Sequence, residues 1–239
     1  MKKSTNTLLL FGASGAIGQA IAATFISRGW SVTGVSRAQH DKSADNTMSW
    51  VVADPEKNTT DDDVFDNRAP YHAVCWAQGA NLNDSVYDID ETSHLSLYKI
   101  NCLFILTTLK LLLQRGLLAA PARFCVVSSI WQNLARQNKL SYTMTKAALQ
   151  GLVLSAAADL AADGHLINAI LPGALDTPMT RNNLTSEQIS TLTTATKFGR
   201  LPHLEDVANL AYFLCSEENT GITAQFIAAD LGFSHVRIV

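Results

Sequence analysis

Tyr142 and Lys146 stand four residues apart in Tyr142-Thr143-Met144-Thr145-Lys146, so a helix through this segment turns both to the same side. A phenol with a pKa near 10 is a poor acid or base at neutral pH. An ammonium about 4–5 Å away, at an effective dielectric near 20, contributes roughly 3–4 kcal/mol and lowers the phenol by about two to three units. Such a phenol can give a proton to a carbonyl oxygen as hydride arrives at the carbon. Alone, the spacing is common, and a pair on an amphipathic helix surface accounts for it better.

A second stretch with chemical meaning is Gly12-Ala13-Ser14-Gly15-Ala16-Ile17-Gly18. It follows an apolar run and opens a helical one. Glycines let the chain turn sharply, let backbone approach a pyrophosphate, and let the helix pack close to the strand. The helix N-terminus then offers unpaired N–H groups and a positive dipole end to phosphates. Ser14, Gly15, Ala16 and Ile17 are the residues placed to make those contacts. The second strand ends at Ser36-Arg37 rather than at an acid. An acid there accepts from a ribose 2′-OH, whereas Arg37 can pair with a 2′-phosphate, so NADP is favoured over NAD. A solvated Arg37 paired with Asp41 or Asp45 is the alternative. Asp54, after the third strand, either reaches the adenine or caps a helix before Pro55.

These groups need a scaffold that brings them to one edge. Thr7–Phe11, Ser31–Ser36, Met48–Ala53, His72–Trp76, Arg123–Ser128, Leu166–Leu171 and Gln225–Ala229 read as strands. Helices are expected over Ala16–Arg28, near Glu56–Asn67, and over His94–Arg115, Ser141–Ala162 and Leu204–Ser216. Strands apolar on both faces and separated by helices mean a parallel sheet covered on both sides. The fold class is therefore α/β: a Rossmann-type, doubly wound parallel sheet of about seven strands in a single domain, residues 1–239. Between Ser36 and Met48 only eleven residues remain, leaving room for one or two helical turns.

Composition narrows the partners. The 239 residues carry 18 basic and 21 acidic side chains, a formal charge of −3, without the strongly basic balance of a nucleic-acid binder. Apolar residues make up 47% and charged ones 16%, against roughly 25% charged in typical soluble domains, so a large core is expected. Cys75, Cys102, Cys125 and Cys215 all sit in apolar runs without a C-x-x-C pair or metal-ligand spacing, as buried thiols in a reducing compartment do. No metal site is expected. Asp61-Asp62-Asp63 reads as helix-start charge, since consecutive carboxylates on a helix diverge. The apolar stretch near the N-terminus breaks at Gly12, and the runs Cys102–Leu106 and Leu111–Leu113 fall short of the roughly 18 residues that cross a bilayer. A cytoplasmic protein with no membrane partner is expected.

Ser129 follows the fifth strand thirteen residues before Tyr142, and Asn101 lies in the long helix before it. With these, the chain resembles the short-chain dehydrogenase/reductase family, single-domain type, from the glycine loop to Gly232. The resemblance implies an Asn-Ser-Tyr-Lys tetrad, here Asn101, Ser129, Tyr142 and Lys146. It makes Tyr142 the acid/base and gives Ser129 the substrate oxygen. Lys146 holds the nicotinamide ribose, and Asn101 supports a water in the proton relay. Pro172, Gly173 and Thr177 correspond to the family's nicotinamide-side loop, with Thr177 on the carboxamide, and Ala77 and Gly79 to its cofactor-lining segment after the fourth strand. Residues 178–198 are expected to form a substrate lid.

Some positions depart from the family pattern. The glycines run G-x-x-G-x-x-G, with Ala16 at the usual middle Gly, and Gly15 stands where NADP-specific members often carry a basic residue. Asn-Asn-Ala-Gly becomes Trp76-Ala77-Gln78-Gly79, which puts part of the sheet's hydrogen bonding in question. Ala224 and Leu231 replace glycines. Trp131 and Arg136 border the substrate side, where stacking and acid recognition compete with packing and solvation. By family analogy the Leu-rich face of Leu103–Leu118 and the Ala-rich face of Ala147–Ala162 form the interface of a homodimer or homotetramer. The function expected is an NADP(H)-dependent oxidoreductase interconverting a small ketone or aldehyde with an alcohol. A non-catalytic nucleotide sensor on the same fold is the alternative, and the absence of a substrate domain after Gly232 disfavours an extended nucleotide-sugar epimerase.

Overall fold

The computed structural model describes residues 5–39, 48–56, 64–66, 69–177, 180–181 and 184–236. Strands β1 (Thr7–Phe11), β2 (Ser31–Ser36), β3 (Met48–Val52), β4 (Tyr71–Trp76), β5 (Leu118–Val127), β6 (Leu166–Pro172) and β7 (Phe226–Ala229) make one sheet, ordered β3-β2-β1-β4-β5-β6-β7. Every neighbouring pair is parallel. The α-helices are α1 (Ala16–Ser27), α2 (Glu91–Tyr98), α3 (Phe104–Gln114), α4 (Leu140–Leu160), α5 (Ser186–Thr194) and α6 (Leu204–Cys215).

The residues of β1 show why the sheet is covered twice. Successive side chains of a strand point to opposite faces. Leu8 and Leu10 enter a core with Ile21 and Phe25 of α1 and Val207 and Leu214 of α6. Leu9 and Phe11 enter the other core, with Ile105 of α3 and Leu149 of α4. These four side chains are 0% exposed. Because the strands are parallel, the residues after β1, β4, β5 and β6 all emerge at one sheet edge, with the strand order reversing beside β1. That is where α/β folds build their ligand sites.

The expected long helix exists, yet it is not uniform. It runs from Glu91 to Gln114, with a π-helical turn at Lys99–Leu103 between α2 and α3. Such a bulge re-aims a side chain, here that of Asn101, which faces inward and is 1% exposed. The run of 24 residues, with a mean hydropathy of 1.4 in its most apolar 18-residue window, is long and apolar enough by length and composition to cross a membrane, although its contiguous apolar runs are short. Its inner side instead packs on the sheet through Ile105, Leu109 and Leu112. Helix α5 was not expected. Its signal was present, since Thr185 and Gln188 form a reciprocal capping box. The short crossover expected between Ser36 and Met48 lies outside the described residues, as does most of the helix expected near Glu56–Asn67.

Trp76 leaves the sheet intact, contrary to the doubt its bulk raised. It pairs with Phe11 on β1 and Val126 on β5. Its indole N–H donates to Thr108 Oγ1 at 2.9 Å, and its ring stacks on Phe11 with centroids 5.8 Å apart. A buried indole needs such a partner. Ala224 and Leu231 take φ of +57° and +55°, so the two replaced glycines sit where the backbone is left-handed. All four cysteines are buried and free, as expected.

Candidate active site and dinucleotide cleft

The glycine loop divides by function. Gly12 has φ +72°, and a Cβ on it would lie 2.5 Å from Gln78 N. A Cβ on Gly18 would lie 2.2 Å from Gly12 O. Backbone occupies both places, so no larger residue fits. A Cβ on Gly15 meets only Gly12 O, at 3.5 Å, an ordinary contact. Gly15 is the N-cap of α1 and supplies no side-chain hydrogen bond to it, and the first turn carries no acid. The first N–H groups of α1 and its dipole are therefore available to an anion.

Gly12, Ser14, Gly15, Arg37, Ala77 and Gly79 line a common cleft of about 200 Å³. Ala16 and Ile17 begin the helix beside it. Arg37 is exposed at the rim. Ala53 and Pro55 also line the cleft. Between them, Asp54 accepts from Glu56 N at 3.0 Å in a local turn; the helix it was expected to cap lies outside the described residues.

Asn101, Ser129, Tyr142 and Lys146 come together although they arise from three separate segments. Ser129 follows β5, and its Oγ accepts from Trp131 N at 3.3 Å and hydrogen-bonds the Tyr142 phenol. Lys146 Nζ lies 5.6 Å from the Tyr142 ring centroid and donates to Val127 O at 3.2 Å. Asn101 Nδ2 donates to Ala80 O at 3.1 Å and to Thr145 Oγ1 at 3.0 Å, while its Oδ1 accepts from Ala80 N at 2.8 Å. Gly79 joins the two halves: a Cβ there would sit 3.5 Å from Asn101 Oδ1 and 3.6 Å from Lys146 Nζ.

The electrostatics correct one expectation. Burial pushes the Tyr142 phenol up, and the Ser129 hydrogen bond only partly offsets this. Burial also pushes Lys146 down, to about 8. Desolvation is the larger cause for both groups, outweighing Ser129 at the phenol and Cys102 at the ammonium. The ammonium lies 5.6 Å from the phenol's ring centroid and donates a hydrogen bond to Val127 O.

Sequence reasoning missed the clamp that holds this end of α4. Asp84 Oδ1 accepts from Ser141 N at 3.0 Å, and the Ser141 hydroxyl donates to Asp84 Oδ2. His94 Nδ1 lies 2.8 Å from the same hydroxyl. Asp84, His94 and Ser141 are far apart in the chain, and no local pattern announces them. Ser141 immediately precedes Tyr142, so the clamp sets where the phenol starts.

On the far side of the sheet edge, Pro172 pairs with Ala229 and Gly173 follows. Thr177 is 9% exposed and accepts from Thr180 N at 3.2 Å. Asp176 and Arg181 form an ion pair at 2.8 Å at the base of the expected lid, of which 178–179 and 182–183 lie outside the described residues. Trp131 is half-buried and lines a small cavity with Ile130, Gly173, Thr196 and Phe233.

The cleft fits a dinucleotide by its own chemistry. A helix N-terminus free of side-chain caps faces it, a cation stands at its rim, and Gln78, one of its lining residues, has a buried carboxamide with no hydrogen-bond partner among the described residues. Comparison with known proteins agrees. The family model described as enoyl-(acyl carrier protein) reductase matches residues 12–234. The 3-oxoacyl-[acyl-carrier-protein] reductase FabG of Salmonella typhimurium is 26% identical, over 94% of this chain and 95% of its own. The L-rhamnose 1-dehydrogenase (NADP(+)) of Thermoplasma acidophilum is 27% identical over 96% of both chains. Among solved structures, ElxO with NADP bound superposes with a TM-score of 0.83 at 23% identity, over 96% of this chain and 98% of that one. The chain thus belongs to the short-chain dehydrogenase/reductase family of NAD(P)-dependent oxidoreductases.

Proposed function

We propose that this protein is an NADP(H)-dependent reductase/dehydrogenase that interconverts a small ketone or aldehyde with the corresponding alcohol. The observation that carries the proposal is the convergence of Ser129, Tyr142, Lys146 and Asn101 around Gly79 at the end of the cleft. When bound, the nicotinamide supplies or accepts the hydride. The chain's own residues handle the proton and the oxygen. Ser129 orients the substrate oxygen toward the Tyr142 phenol, which is neutral at physiological pH and gives or takes its proton there. Lys146 holds the nicotinamide ribose and its charge favours the phenolate that forms as the proton leaves. Asn101, fixed by three hydrogen bonds in the π turn, supports the water through which the proton is restored.

Gly12, Ser14, Gly15, Ala16, Ile17 and Gly18 bind the diphosphate, with Ala77, Gly79, Pro172, Gly173 and Thr177 along the remainder of the cofactor and Asp54 near the adenine. Arg37 sets the preference for the 2′-phosphate. Its place at the cleft rim supports this, and a relative's NADP(+)-dependent name is consistent with it. Residues 178–198 form the substrate lid of a single domain that works in the cytoplasm. A homodimer or homotetramer forms through α3 and α4. An apolar groove of about 530 Å³ between these helices supports that assignment, with its lining residues Leu106 52% and Leu103 41% exposed.

The test is a panel of ketones and aldehydes assayed with NADPH and with NADH, monitored by cofactor absorbance. Oxidation of NADPH with at least one carbonyl, faster than of NADH, is the expected result. If the protein binds NADPH tightly yet turns over no carbonyl in the panel and oxidises no alcohol, the reductase assignment fails.

A further inference from the structure

Gln78 stands between the two halves of the site. Its backbone N packs directly on Gly12, at the start of the phosphate-facing loop. The next residue, Gly79, touches the Asn101–Lys146 pair. Gln78 lines the same cleft, and both polar atoms of its carboxamide, Oε1 and Nε2, are withdrawn from solvent and have no hydrogen-bond partner among the described residues. A carboxamide brings two donor hydrogens and an acceptor oxygen, and burying it unpaired is costly. The family pattern stated above has Ala at this position, so this chain has introduced a donor and an acceptor where a methyl group suffices for the fold.

We infer that the Gln78 carboxamide is a binding group for ribose hydroxyls of the dinucleotide. The inference rests on the proposed dinucleotide-dependent function and adds a residue to it. Both ends of the amide are unpaired, so the matching ligand group must donate as well as accept. A phosphate oxygen only accepts. A sugar hydroxyl does both, and the vicinal hydroxyls of a ribose can satisfy Oε1 and Nε2 together. The position between the phosphate-facing loop and Lys146 places this contact on the part of the cofactor shared by NADH and NADPH, in contrast to Arg37 at the rim.

Binding of NADPH, NADH and ADP-ribose to wild type, Gln78→Leu and Gln78→Ala, measured by calorimetry, tests the inference. Gln78→Leu keeps the bulk and removes the unpaired groups, so the free protein should melt at the same temperature or higher. Affinity for all three ligands should fall by about tenfold in both variants, the worth of one or two hydrogen bonds. Affinities within twofold of wild type overturn the inference, as does a loss confined to NADPH, which would make Gln78 a reader of the 2′-phosphate. A lower melting temperature with unchanged affinity also overturns it, because the amide then serves only the fold. If wild type itself binds none of the three, the proposed function fails, and the inference falls with it. If wild type binds and the variants match it, only the inference falls.

Discussion

The two halves of the site are built by different means. The phosphate-facing half is seven consecutive residues, Gly12–Gly18, whose shape is dictated by backbone contacts that leave no room for a Cβ at Gly12 or Gly18. The half proposed for proton transfer gathers Asp84, His94, Asn101, Ser129, Ser141, Tyr142 and Lys146 from four segments, through side-chain hydrogen bonds. A contiguous loop can be damaged only by steric change within it. A dispersed cluster can be switched off by one atom while the fold persists. The halves should therefore respond oppositely to substitution.

The largest effect expected is at the dispersed half. Tyr142→Phe removes the transferable proton and should lower turnover by about 10²–10⁴-fold or more while leaving dinucleotide affinity within a few-fold. Comparable turnover in the variant would sink the assignment of the phenol. Next, Gly18→Ala drives a methyl against Gly12 O and should cost at least about 2 kcal/mol of stability, together with dinucleotide binding. Gly15→Ala should leave the melting temperature nearly unchanged, because its Cβ meets open space apart from Gly12 O. Equal melting temperatures for the two variants would erase the distinction drawn within the loop.

Titration sharpens the comparison further. Lys146 sits at about 8 in the folded protein against about 10.4 in an unfolded chain. Between those values the unfolded state holds more protons, so this group makes stability rise with pH across that window, the contribution being complete above the upper value and lost as pH falls through about 8. Tyr142, shifted upward by burial, acts in the opposite sense: its contribution is present below about pH 10 and fades above it. Denaturant melts of wild type and Lys146→Met from pH 7.5 to 10 should show their stability difference moving in favour of wild type as pH rises. A flat difference would mean that the ammonium is not desolvated as the structure has it. The smallest effect is remote from both halves. Ala224→Gly and Leu231→Gly relieve left-handed backbone and should each stabilise by about 1 kcal/mol, a few degrees in a thermal melt.

What could be read before folding follows from range. The strand–loop–helix of Thr7–Ser27 was legible because strand periodicity, glycine spacing and helix start are local properties. The same holds for the seven strands, whose two-sided apolar runs demand cover on both faces. The Tyr142–Lys146 pair and Arg37 were legible as residue types at spacings with chemical meaning. The departures at Ala224 and Leu231 were visible as missing glycines, and their left-handed backbone is the physical cost.

Only the tertiary structure decided the rest. Desolvation is a property of everything packed around a group, so no spacing could reveal that burial raises the Tyr142 phenol and lowers Lys146. The Asn101 side chain at the π turn is held by Ala80 and Thr145, on other segments. The Asp84–Ser141–His94 clamp joins three loops and helix ends. Whether Gln78 is satisfied or left unpaired is decided by what surrounds it in space. Local sequence determined which elements form and which chemistry they carry, and three-dimensional packing set the charge state, aim and partners of each group, because those energies depend on distance through space rather than along the chain.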